Sequence, residues 1–223
     1  MIRSHFRRRV RALVPALALA IALVPGTLLP TVTPAYAGAA GDAVFADRGP
    51  WDLTDTPLRW AITVEGPDLP GFLAVTDGSL EMTQITDPSD GQPVLQLTQK
   101  TDGRARKIGP FPISGGDPSL TFFLEQTARD MARLTGGSPF YIRNRIKDAL
   151  FRAGDLARDG DTMTATFQPF ADDPNAERMQ GFQSLTMTFV IGGPKTPIRE
   201  MTAETSTPVV GSDAIYRNAM VME

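Results

Sequence analysis

Residues able to do chemistry are few in this chain, and the scarcity narrows the reactions open to it. The 223 residues contain one histidine, His5, and no cysteine. A chain that loses its first segment loses that histidine too, and no Ser-His-Asp triad, thiolate nucleophile or His/Cys zinc, copper or haem site is then expected. What remains is carboxylate pairs, Ser with Lys, Tyr, and oxygen-ligand calcium or magnesium sites. The four lysines are Lys100, Lys107, Lys147 and Lys195, and none completes a Ser-x-x-Lys. The clusters Asp87/Asp90, Asp159/Asp161 and Asp172/Asp173 each sit beside Gly or Pro and read as turns, without the spacing of a calcium loop. Glu65, Glu81, Glu125 and Glu177 are the candidates for a glycosidase-type acid and nucleophile, the alternative reading of the function. No cofactor and no metal site is expected.

A second chemistry is suggested by a repeated phrase. "GGDP" at Gly115–Pro118 and "GGSP" at Gly136–Pro139 each precede an apolar pattern of helical period. Capping explains both: Asp117 or Ser138 satisfies orphan N–H groups and the proline sets the first helical φ. The competing reading is an anion site, since exposed N–H groups and the helix dipole attract carboxylates and phosphates. It draws on Arg129 and Arg133 in the first helix and Arg143, Arg145, Lys147 and Arg152 in the second. Paired within their helix, for example Arg145 with Asp148, these cations are only a solvated face. Unpaired, they would meet an anionic envelope component or an acidic partner. Phe122 and Phe123 point about 100° apart on the helix, so one is expected in the core and the other at a cavity or the sheet edge. Eight methionines between Met82 and Met222 suit irregular packing or an undemanding apolar pocket. Arg129, Arg133, Arg143, Arg145, Phe122 and Phe123 are therefore the candidate contact residues.

The segments around these residues set the architecture. Five arginines from Arg3 to Arg11, the apolar run 12–29 and "AYAG" read as a secretory signal peptide over residues 1–37, cut after Ala37. Export to a periplasm or the exterior is the expectation, with no stable membrane span after cleavage. Those five arginines leave 17 basic residues to face all 25 acids, so the remainder has no global electrostatic reason to bind nucleic acid.

A lead of residues 38–50 is expected to be flexible, followed by a single β-rich domain over 51–223. Leu58, Trp60, Ile62 and Val64 alternate with more polar residues, the mark of a half-buried strand. "GFLAVTDG" and "SLEMTQI" flank Asp77-Gly78 as a hairpin, and "PVLQLTQ" pairs with "RARKI" across Asp102-Gly103. "TMTATFQPF", "SLTMTFVIG", "PIREMTAET" and "AIYRNAMVM" supply the later strands.

The expected fold is thus α+β: a curved antiparallel sheet of eight or nine strands, half-barrel in outline, with an αα-hairpin at about 117–153 inserted and packed on one face. In fold alone it resembles the half-barrel carriers of the bacterial periplasm, which hold lipid chains beneath a helical lid. The expected role is a non-enzymatic binding or assembly protein for an apolar or amphipathic ligand, a lipid-like or anionic envelope component, or a partner protein.

Overall fold

A computed structural model describes residues 38–152, 154–193 and 195–223 of the chain. The expected signal peptide, residues 1–37, lies outside the described residues.

Nine strands form one sheet, each pair antiparallel: β1 (Leu58–Glu65), β2 (Val75–Thr86), β3 (Pro93–Thr101), β4 (Arg104–Pro112), β5 (Asp155–Asp159), β6 (Thr162–Phe167), β7 (Leu185–Ile191), β8 (Ile198–Thr205) and β9 (Arg217–Met222). Their order is β4-β3-β2-β1-β9-β8-β7-β6-β5. The first four strands and the last five are thus two meanders, joined where β9 pairs with β1 at the centre of the sheet. The sheet is open and curved, not closed into a barrel.

Period-two burial explains the layering. Trp60, Ile62 and Val64 of β1, Leu80 and Met82 of β2, Leu95 and Leu97 of β3, and Met187 and Phe189 of β7 are buried on one face. The Thr-rich positions between them stay partly exposed on the other. Two ion pairs lie directly opposite each other across strands there: Arg59 with Glu81, and Arg217 with Glu204 at 3.3 Å.

Between the edge strands β4 and β5 the chain forms two helices, α2 (Pro118–Thr135) and α3 (Pro139–Arg152), numbered after a short α1 (Ala39–Val44). The hairpin therefore carries the chain from one edge of the sheet to the other across its apolar face. Phe123 of α2 meets Phe189 of β7 edge-on at 6.0 Å. Asp117 caps α2 by accepting from the Ser119 and Leu120 amides, and Gly136 ends it with φ 67°.

Two expectations are corrected. Asp77-Gly78 is not a hairpin turn: both lie inside β2, with Gly78 opposite Ile62. Gly78 lacks the left-handed φ such a turn needs. Its glycine serves close packing instead, because a Cβ there would lie 2.6 Å from Val75 Cγ1. The turn is the longer loop 66–74. By contrast Asp102 and Gly103, with φ 49° and 73°, do form the β3–β4 turn.

Nor is the lead of residues 38–50 loose. Ala40 and Val44 of α1 are fully buried, and Arg48 is buried with them. The Arg48 guanidinium donates to the carbonyls of Ala43, Val44, Ala46 and Thr196 at 2.8–3.0 Å, closing the C-terminal end of α1 and tying it to the segment before β8. Composition suggested looseness, but small residues are what permit this docking. A Cβ on Gly41 would lie 2.2 Å from the Leu150 carbonyl oxygen of α3.

Candidate binding cleft

The six contact candidates separate into different environments. Phe123 is wholly buried in the core, whereas Phe122 reaches the wall of a cleft between α2 and the β3–β4 hairpin. Arg143 binds Glu125 through two bonds, Nε to Oε1 at 2.5 Å and Nη2 to Oε2 at 2.8 Å, which clamps α3 to α2. Arg129 stands 3.9 Å from the same carboxylate. Arg133 is exposed and makes no ion pair among the described residues.

Arg145 is anchored on a buried carboxylate. Its Nε donates to Asp173 Oδ2 at 2.5 Å, and the Asp173 side chain is fully buried. The Tyr141 hydroxyl and the Asn175 amide also donate to that carboxylate, both at 2.8 Å. Burial alone would raise the Asp173 pKa, but these donors outweigh it and hold the group below the usual carboxylate range. The expected Arg145–Asp148 pair is not formed; Asp148 pairs with Arg152 at 3.5 Å.

The repeated Gly-Gly phrases resolve as capping. Asp117 itself occupies the anion position at the α2 N-terminus, its Oδ1 2.9 Å from the Ser119 amide. Ser138 Oγ accepts from the Tyr141 amide at 3.4 Å.

The cleft beside Phe122 has a volume of about 280 Å³. Leu97, Ile108, Phe111 and Phe122 give it an apolar floor, and Arg106 and Arg129 are the cations that line it, whereas Lys107, opposite Thr98 of β3, alternates to the other face of the sheet. Glu125 is its one carboxylate, already bound by Arg143. The helical hairpin leaves this side open because β4, the edge strand, is exposed along most of its length. Arg106 and Phe111 were not among the sequence candidates. The signal for them was present, since Arg104, Arg106 and Lys107 crowd one strand with no acid between Asp102 and Asp117.

A buried polar group lies under the middle of α2. Asp130 accepts two bonds from Gln126 Nε2, at 2.9 and 3.0 Å, and one from the Tyr216 hydroxyl at 3.2 Å. Next to it Asn218 Nδ2 of β9 donates to Thr127 Oγ1 at 2.9 Å. Burial pushes the Asp130 pKa up to about 6, while the bonds from Gln126 and Tyr216 and the charges of Arg133 and Arg129 pull it partly back. Such a carboxyl has the pKa of a general acid, but it is 2 % exposed and outside the cleft. The four glutamates considered for catalysis sit apart in the fold. Glu81 is bound by Arg59 and Glu125 by Arg143, while Glu65 ends β1 and Glu177 lies in a 3₁₀ turn. Among the described residues no group of three or more acids is placed to hold a metal ion.

Fold and site together define an α+β protein with one open sheet, a helical hairpin across it, and a basic-rimmed apolar cleft at one side. No family model matches the chain, and no curated protein matches it.

Proposed function

We propose that this protein is an exported, non-enzymatic binding protein of the cell envelope that holds an amphipathic anion, an acyl chain with an acidic head group, in the cleft between α2 and β3–β4. One observation carries the reading: the apolar residues Leu97, Ile108, Phe111 and Phe122 line the same cleft as two cations, Arg106 and Arg129. An apolar chain gains from the floor, at about 25 cal/mol per Å² of buried surface, and the head group meets the rim. The volume is near the lower end of the usual ~300–1,000 Å³ for small-ligand sites, which fits a single chain rather than a multi-chain lipid. The basic, apolar leader supports export.

Calorimetric titration with lysophosphatidylglycerol and lysophosphatidylcholine of the same chain length, below micelle formation, tests the proposal. Saturable binding at least tenfold tighter for the anionic lipid is expected. Equal binding of both, or of neither, would overturn it.

A further inference from the structure

The outer face of α3 carries a second arrangement that the cleft does not use. Phe140 in its first turn is 69 % exposed and Phe151 in its last is 53 % exposed. Eleven residues apart, they lie about 20° from each other around the axis and about 16 Å apart along it. Lys147 falls on the same stripe, while Arg143 beside it is held by Glu125 of α2. Phe45, at the end of α1, stacks on Phe151 with ring centroids 4.5 Å apart. Together with Leu124 and Ile146 they border a shallow apolar depression of about 290 Å³.

Charge identifies the partner. From Pro118 to Arg152 the hairpin has six basic residues against three acidic, while the rest of residues 38–223 has 11 against 22. The molecule is thus polarised, with its excess of positive charge on the element that also exposes the phenylalanines. Two exposed aromatic residues with a lysine between them on one helical face are the pattern of insertion at an anionic bilayer surface: rings enter the acyl boundary and the Lys147 ammonium, in no ion pair among the described residues, meets the head groups. Among the described residues no helix is long and apolar enough to cross a membrane, so contact through this helix is peripheral. We propose that the Phe140–Lys147–Phe151 face of α3 docks the protein on an anionic lipid bilayer. The proposal stands independently of the cleft and its ligand.

Hydrogen–deuterium exchange of the full chain, read peptide by peptide, tests it with vesicles of phosphatidylcholine alone and with 30 % phosphatidylglycerol. Reading by segment separates α3 from the apolar run 12–29. Protection of peptides spanning 139–152 on anionic vesicles only is the expected result. Phe140→Ser and Lys147→Glu alter exposed side chains and should each reduce that protection at least threefold with an unchanged melting temperature. A Phe140→Trp variant should be quenched by brominated phosphatidylglycerol. Protection confined to residues before Gly38, or equal on both vesicle types, would overturn the proposal. So would protection of 139–152 by soluble polyglutamate with no lipid quenching, which would make the face a site for an acidic protein.

Discussion

The Tyr216 hydroxyl donates to Asp130 Oδ2 at 3.2 Å, linking the residue just before β9 to the buried side of α2. Asn218 repeats the link one turn away, through Thr127. The helical hairpin is thus held over the sheet by apolar packing on both sides of a polar seam. The seam makes the packing sensitive to proton concentration.

The sign of that sensitivity follows from the Asp130 pKa, raised from 3.8 to about 6 by burial. The folded state binds a proton more tightly than the unfolded chain, so the contribution of Asp130 is most favourable below about pH 4. It declines as pH rises towards about 6 and stays at its lowest above that. At about 1.4 kcal/mol per pKa unit the full effect is on the order of 3 kcal/mol. Urea unfolding of wild type and Asp130→Asn between pH 4 and pH 7.5 measures it. The variant should lose this decline, and a parallel pH profile in both proteins would contradict the assignment.

Arg145 and Arg133 look alike in the sequence and differ in consequence. Arg145→Ser leaves the buried Asp173 carboxylate without its cation and should destabilise the protein by about 2–4 kcal/mol. Arg133→Ser, at an exposed position, should change stability by less than about 0.5 kcal/mol. Thermal denaturation of the two variants distinguishes an anchor from a surface charge.

Gly41→Ala tests whether the lead belongs to the fold. Its methyl group would lie 2.2 Å from the Leu150 carbonyl oxygen, so α1 must move off α3 or the backbone must shift. A cost of about 1–3 kcal/mol is expected, with faster proteolysis between Ala39 and Trp51. Unchanged protection of that segment would count against tight docking.

In the cleft, Phe111→Ser and Arg106→Ser should act on different parts of the ligand. Phe111 is half-buried on the floor, so its loss should flatten the gain in affinity with acyl length. Arg106→Ser should weaken anionic lysolipids severalfold and leave that length dependence unchanged. Titration of a lysophosphatidylglycerol chain-length series with each variant separates the two effects; identical responses would show that floor and rim do not divide the work.

Much of this molecule was legible locally. Alternation exposed β1, β6 and β7, because neighbours two apart in a strand share a face whatever the strand pairs with. Asp117 and Ser138 announced the helices, because an N-cap acts on amides two or three residues ahead. Segregation of positive charge onto residues 118–152 and the unusual Arg104–Lys107 strand were also present in the sequence as composition. Strand order was not, since β9 joins β1 only after some 150 intervening residues have formed two meanders and a helical crossover. The same holds for which cation is neutralised: Arg145 finds Asp173, 28 positions away, instead of Asp148 on its own helix. Asp77-Gly78 has the composition of a turn, yet its pairing with β1 draws it through a strand, and the small residues of the lead acquire a helix only against α3 and the sheet. Periodicity and capping depend on neighbours a few residues apart, so the sequence alone determined them; cleft, seam and docked lead depend on contacts made at long range, which the tertiary structure alone decided.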